Sequence, residues 1–252
     1  MRFLITGVSK GLGRYLAIEL LKQSHEVWGI SRKHREHSDI KDLFQYPTFI
    51  YSSCDLTRES QIIQFAEEVT GRNFPVDVLI LNAALMENDY INGVWDFQKF
   101  KEIIEVNFIG TANLTAKLLP SFQQRGNGII IGISSISSIR ALLMDKIAYA
   151  PSKSALNMMF ESLRLQMGYS YPGIRFITVN PGPLEQKDQM FSSSYSEIAG
   201  KIISIIEKGK YKDIYTYPLM SSIMYKVLRL IPDRFIARYI IQPRRKYKEK
   251  SK

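Results

Sequence analysis

The chain has 252 residues, 45% hydrophobic and 23% charged, which suffices for one substantial core and excludes a disordered chain. A single cysteine, Cys54, excludes an internal disulfide, and His25, His34 and His37 show no zinc-ligand spacing with it, so no metal site is expected. The net charge of +10 sits almost wholly at one end, because residues 207–252 carry thirteen Lys/Arg against four Asp/Glu.

The opening apolar run, Arg2–Thr6, stops at Thr6-Gly7, too early for a secretory segment, and reads as a buried strand. Residues 11–23 place Leu12, Leu16, Leu20 and Leu21 at helical spacing. Residues 26–30 and 49–52 read as strands, 60–70 as a helix carrying Ile62, Ile63, Phe65 and Ala66, and 76–81 as a strand. A long helix is expected within 96–120, a β-branched strand over 128–133, a helix over Tyr149–Met167 and a strand over 175–180. Continuous apolar strands alternating with helices predict an α/β fold of the Rossmann-like kind, a doubly wound parallel sheet in three α/β/α layers, forming one domain over 1–252. No run reaches the roughly 18 apolar residues of a spanning helix.

Thr6-Gly7-Val8-Ser9-Lys10-Gly11-Leu12-Gly13 lies between the first strand and the first helix. Glycines there let the backbone turn sharply and approach a pyrophosphate at the helix N-terminus. Ser31-Arg32-Lys33 follows the second strand, where an NAD-specific site usually carries an acidic residue. Lys10 and Arg32 would instead converge on an adenosine 2′-phosphate, so NADP(H) is expected rather than NAD.

Tyr149 and Lys153 are four residues apart and share a helix face. An ammonium roughly 4 Å from the phenol, at an effective dielectric of about 20, would favour the phenolate by on the order of 4 kcal/mol and bring its pKa towards neutrality. Alone, the spacing is also that of a common surface pair.

The setting of this pair resembles the short-chain dehydrogenase/reductase family, in its short single-domain form, over residues 1–185. Thr6–Gly13 is similar to the family's TGxxxGxG turn, Asp55-Leu56 to its adenine-contacting position, and Asn82-Ala83-Ala84 to its NNAG segment, with Leu81 and Ala84 departing. Asn107 is similar to the helix-four asparagine, Ser134-Ser135 to the catalytic serine region, Tyr149-Ala150-Pro151-Ser152-Lys153 to YxxxK, and Asn180-Pro181-Gly182 to the turn after the sixth strand. The resemblance implies that Tyr149 exchanges a proton with the substrate oxygen and that Lys153 lowers its pKa and bonds the nicotinamide ribose. It implies that Ser135, with Ser134 as its rival, bonds the carbonyl oxygen, and that Asn107 holds a water in a proton relay. The cofactor contacts it implies are Gly7, Ser9, Lys10, Gly11, Leu12 and Gly13 at the turn, Ser31 and Arg32, Asp55 and Leu56, and Asn82 and Ala83. Tyr149, Lys153, Pro181, Gly182 and the main chain of Leu184 complete that set. Two departures stand out: the serine-to-tyrosine spacing is one residue longer than the family's, and Gln186 stands where PGxVxT has threonine.

Residues 191–196 lie where the family keeps a mobile substrate lid. Beyond Tyr211 the chain departs from the family ending. Leu219, Met220, Ile223, Met224, Val227, Leu228 and Ile231 form an apolar helical stripe with Lys226 and Arg229 off it. Pro232 breaks the pattern, and Asp233 is expected to cap a second short helix bearing Phe235, Ile236, Tyr239 and Ile240. The chain ends in a basic run beginning Arg244-Arg245-Lys246. Three readings of the stripe stay open: it covers the chain's own pocket or core, it packs on a second subunit, or it lies on an anionic membrane.

The function expected is an oxidoreductase moving hydride between NADP(H) and a small carbonyl or alcohol substrate. A polar substrate such as a sugar nucleotide, or a catalytically silent NADP(H)-binding regulator, are the competing readings. The basic tail lacks interleaved stacking aromatics, so no nucleic-acid partner is expected. A homodimer or homotetramer and a cytoplasmic location are expected, with attachment at the membrane periphery left open.

Overall fold

A computed structural model of the chain describes residues 1–185 and 192–242. Its strands are β1 (Arg2–Thr6), β2 (Glu26–Ser31), β3 (Phe49–Ser53), β4 (Val78–Leu81), β5 (Tyr90–Ile91), β6 (Val94–Trp95), β7 (Asn127–Ile133), β8 (Gly173–Pro181) and β9 (Ile214–Tyr217). The α-helices are α1 (Gly11–Lys22), α2 (Ser38–Lys41), α3 (Glu59–Gly71), α4 (Phe97–Ile104), α5 (Gly110–Arg125), α6 (Tyr149–Met167), α7 (Tyr195–Lys208), α8 (Leu219–Arg229) and α9 (Asp233–Ile236).

Seven strands form one sheet in the order β3-β2-β1-β4-β7-β8-β9, with every pair parallel, while β5 and β6 make a separate antiparallel ribbon. The apolar runs explain the parallel sheet: all four residues of β4 and the last five of β7 are buried, which requires helices on both faces. Leu16, Leu20, Ile40, Ile198 and Ile202 from α1, α2 and α7 cover one face. Ile62, Phe65, Leu114, Leu118, Leu156 and Phe160 from α3, α5 and α6 cover the other. Strand order reverses between β1 and β4, and the crevice at the carboxyl ends of strands at such a switch point is where doubly wound sheets bind ligands.

Four features differ from the sequence-based expectations. The helix expected within 96–120 is two helices joined by a π turn, Glu105–Ile109, and it runs through Pro120 to Arg125. Buried Phe122 holds that last turn on the core, and Gly126 ends it in a left-handed conformation. Helix α7, strand β9 and the β5–β6 ribbon had no predicted counterpart. Asp233 does not cap the short helix: Pro232 holds the cap position, and Asp233 is the first helical residue, 2.7 Å from Arg140.

The apolar stripe of α8 is the fourth difference. Only Leu228 and Ile231 of it face inward, beside Ile136, Leu142, Tyr225 and Ile236. The other five residues are exposed, so the stripe does not cover the chain's own core. Gln186, Phe191 and the basic run from Arg244 lie outside the described residues.

Candidate active site

The glycine turn is held from both sides. Thr6 Oγ1 accepts from the backbone N–H of Asn82 at 2.9 Å and of Ala83 at 2.8 Å. The Asn82 side chain donates to the carbonyls of Thr6 at 3.0 Å and Gly7 at 3.3 Å. Gly7 has φ +76°, and a Cβ there would lie 2.9 Å from Ala83 Cα; one on Gly13 would lie 2.4 Å from the Gly7 carbonyl. Both positions therefore demand glycine. Helix α1 starts without a side-chain cap and with no acidic residue in its first turn, which leaves its N–H groups to an anion. Leu12 is buried in the core, so its contribution to the turn is its backbone.

Lys10 and Arg32 are both exposed beside this turn and act on the same carboxyl group. Glu87 is held below the usual carboxylate range first by a hydrogen bond from Lys99, with Arg32 and Lys10 adding their charges. Arg32 lies 3.6 Å from Glu102, and Lys99 bridges Glu87 at 2.9 Å and Glu102 at 2.8 Å. Ser31 Oγ shares a hydrogen bond of 2.7 Å with the Tyr51 hydroxyl and accepts from Lys33 N. Asp55 Oδ1 accepts from the backbone and hydroxyl of Thr57, both at 2.9 Å, fixing the Asp55-Leu56 loop.

Tyr149 opens α6, with Ser135 close enough to act on its phenol. Burial pushes the Tyr149 phenol above its ordinary value, and Ser135 opposes that rise. Lys153 is buried, its Nζ donates to the Ile133 carbonyl at 2.8 Å, and burial lowers its pKa to about 8. The lysine nitrogen lies 5.9 Å from the centre of the Tyr149 ring. The expected lowering of the tyrosine by the ammonium is thus absent here: desolvation dominates, and the ammonium is turned to a backbone carbonyl.

The serine pair separates by its partners. Ser134 Oγ donates to the Lys153 carbonyl at 3.1 Å, on the flank of α6. Ser135 Oγ accepts from Ser137 N at 3.1 Å, and Ser135 is the neighbour that acts on the Tyr149 phenol. Asn107 is buried within the π turn, where its Oδ1 accepts from Leu85 N at 2.7 Å and its Nδ2 donates to Leu85 O at 2.9 Å and Ser152 Oγ at 3.0 Å. Both amide hydrogens are therefore committed to the protein, and a water at this residue is left to its free oxygen lone pair or its backbone.

Close packing brings α6 to the sheet. A Cβ on Gly132 would lie 2.8 Å from the ring of the fully buried Phe160. Gly132→Ala should cost about 1–3 kcal/mol and displace Lys153 from the Ile133 carbonyl. Urea midpoints and turnover measured together check this, and a variant as stable as the parent overturns it.

Pro181 ends β8, and Gly182 N donates to the Tyr217 carbonyl of β9 at 2.6 Å. Leu184 forms an isolated parallel bridge with Ser193 that uses the N–H of Glu185 and of Ser193, leaving that of Leu184 outside it. Of the segment expected as a lid, Ser193 is buried in this bridge and Ser194 caps α7 through Glu197 N.

Two residues here had no sequence signal. Asp89 is fully buried, and its carboxylate accepts from Ile147 N at 2.6 Å and Ala148 N at 2.7 Å, the orphan donors just ahead of Tyr149. It anchors the start of α6 and hence Tyr149. Tyr195 places its ring against Gly11, so α7 shields the glycine turn. The spacing of Ile198, Ile202, Ile205 and Ile206 is the signal that could have found α7.

Thus a parallel doubly wound sheet carries, at its carboxyl edge, a glycine turn on a helix N-terminus and a buried Ser-Tyr-Lys cluster. The short chain dehydrogenase family profile matches residues 2–197, and the chain belongs to this family of oxidoreductases. The mouse protein "Dehydrogenase/reductase SDR family member 7" is 29% identical over 191 residues, covering 72% of this chain and 54% of its own length. The chain thus spans about half the length of that relative and of its human counterpart, also 54% covered. An Arabidopsis thaliana "NADPH-dependent pterin aldehyde reductase" is 28% identical over 184 residues, covering 71% of this chain and 73% of that protein. A Burkholderia cenocepacia short chain dehydrogenase, solved in complex with NADP, superimposes with a TM-score of 0.77 at 23% identity, covering 95% of this chain and 97% of that one.

Proposed function

We propose that the chain is an NADP(H)-dependent carbonyl reductase or alcohol dehydrogenase acting as one domain with a C-terminal extension. The observation that carries this reading is Ser135 acting on the Tyr149 phenol beside buried Lys153, at the end of the sheet that holds the glycine turn. The donor set suits the cofactor: the uncapped first turn of α1 takes the pyrophosphate and Lys10 and Arg32 take the 2′-phosphate. Asp55 and Leu56 border the adenine, with Asn82 and Ala83 bracing the turn. Pro181, Gly182 and the Leu184 N–H border the carboxamide. The cofactor supplies or accepts the hydride.

The chain's own residues handle the proton. A phenol raised by burial stays protonated at neutral pH and suits Tyr149 to donate to the substrate oxygen during reduction. Ser135 orients that oxygen by a second hydrogen bond, a role that the bond of Ser134 to the α6 backbone favours giving to Ser135. Lys153, charged below pH about 8, stabilises the tyrosinate left after transfer and bonds the nicotinamide ribose. Asn107 braces the Leu85 loop against α6 and passes the replacement proton through water at its backbone.

The test is NADPH consumption by the purified chain across aldehydes, ketones, 3-oxoacyl thioesters and sterols; no consumption with any of them, despite tight NADPH binding, sinks the reading. For the cofactor, Arg32→Asp should weaken NADPH by about 10-fold or more while leaving NADH unchanged, since a charged hydrogen bond contributes about 1.5–3 kcal/mol. Fluorescence titration of both dinucleotides reads this, and an unaltered preference removes Arg32 from the 2′-phosphate.

A further inference from the structure

Helix α8 packs on the protein with its polar side. Ser221, Ser222 and Tyr225 are buried, while Leu219, Met220, Ile223, Met224, Val227 and Leu230 are exposed, Leu230 by 84%. At about 100° per residue the six apolar side chains fall within an arc of about 140°, opposite the buried face. Lys226 borders that arc. The next turns also expose Phe235 and Tyr239, stacked at 6.1 Å, and Arg234 and Arg238 lie over these rings.

A contiguous exposed apolar face of this size marks a contact with another phase or molecule. Its occupant is indicated by charge. Residues 219–252 carry ten Lys/Arg against two Asp/Glu. Among the described residues Lys226, Arg229, Arg234 and Arg238 make no ion pair, and Asp233 is taken by Arg140. A second copy on a two-fold axis would set these cations against themselves. The chain's own site is served by the opposite side of the helix, where Tyr225 packs with Ile136. Apolar residues flanked by cations on a short helix match the boundary of an anionic bilayer. Among the described residues no helix is long and apolar enough to cross a membrane, so the contact lies in the plane of the surface.

We propose that α8 and α9 dock on an anionic lipid bilayer, with the Leu219-to-Leu230 face at the acyl boundary and Lys226, Arg234 and Arg238 at the headgroups. This does not depend on the catalytic reading and is measured without turnover. The experiment is flotation of the full chain with phosphatidylcholine vesicles and with vesicles containing about one third phosphatidylserine. The chain should float with the anionic vesicles and sediment with the neutral ones. Lys226→Gln with Arg234→Gln should reduce that binding roughly 30-fold, each cation near the surface contributing about 5-fold. Ile223→Glu with Val227→Glu, at exposed positions, should abolish it without lowering thermal stability.

Should that variant fail to fold, a fluorophore on Met224→Cys provides the second readout, because Cys54 is buried and escapes labelling. Its emission should shift to the blue on anionic vesicles alone. Absent flotation of the parent chain, flotation unaffected by the glutamates, or an unshifted fluorophore overturns the proposal. So does light scattering that shows a dimer dissociated by the glutamates with no vesicle binding, which would assign the face to a second copy.

Discussion

Tyr149→Phe should lose turnover by about 10²–10⁴-fold while binding NADPH as the parent does. The substitution removes one oxygen and keeps the ring, so α6, the Asp89 anchor ahead of it and the Lys153 contact with Ile133 are left in place. What disappears is the phenol on which Ser135 acts, and with it the proton donor the proposed reaction needs. Steady-state turnover and NADPH fluorescence titration separate the two effects. Turnover within a few-fold of the parent would remove Tyr149 from the chemistry. The raised phenol also gives a direction: hydride removal from an alcohol, which needs the phenolate, should gain rate as pH rises, and carbonyl reduction should not.

Lys153→Met should lower turnover by about 100-fold or more and, separately, change how stability depends on pH. The lysine titrates near 8 in the folded chain against 10.5 unfolded. Between those values the unfolded chain binds more protons, so the lysine's contribution to folding improves as pH rises through that window. Methionine fills similar volume and carries no such dependence. The stability difference between variant and parent should therefore move by about 2–3 kcal/mol in the parent's favour from pH 7 to pH 10. Urea midpoints of both proteins at the two pH values read it, and titrating groups remote from Lys153 cancel in the difference. An identical gap at pH 7 and pH 10 would show that Lys153 titrates normally.

The parts of the fold that the sequence announces are those with a continuous cause. Strand β1 and helix α6 fall on the expected bounds because an apolar run or an amphipathic spacing extends along each whole element. The β5–β6 ribbon has two residues per strand and little burial, so it carries no period to detect. The π turn at Asn107 adds a residue without demanding a particular side chain, which is why 96–120 reads as one uninterrupted helix.

The site divides in the same way. Tyr149, Lys153 and the glycine turn sit in local motifs. Asp89, by contrast, meets Ile147 and Ala148 across nearly sixty positions of chain, and no local pattern encodes that meeting. The α8 stripe was legible as a stripe and illegible in direction. Periodicity locates an apolar face; the neighbours decide whether it turns inward, and here Ser221, Ser222 and Tyr225 take the inward side.

The position of β9 at the sheet edge has a consequence for the order in which the chain is made. Strand β8, with seven of its nine residues buried, is complete once Pro181 has been synthesised, yet its outer neighbour comes only at Ile214–Tyr217. While residues 182–213 are being added, one side of β8 offers unpaired backbone groups to any other extended chain nearby. Part of what lies between is α7, whose isoleucines cover α1 and its side of the sheet, so a nascent chain stopped before β9 is open along an edge even when a face is already closed. The last of the described strands to be made is thus the one that seals the outer side of β8.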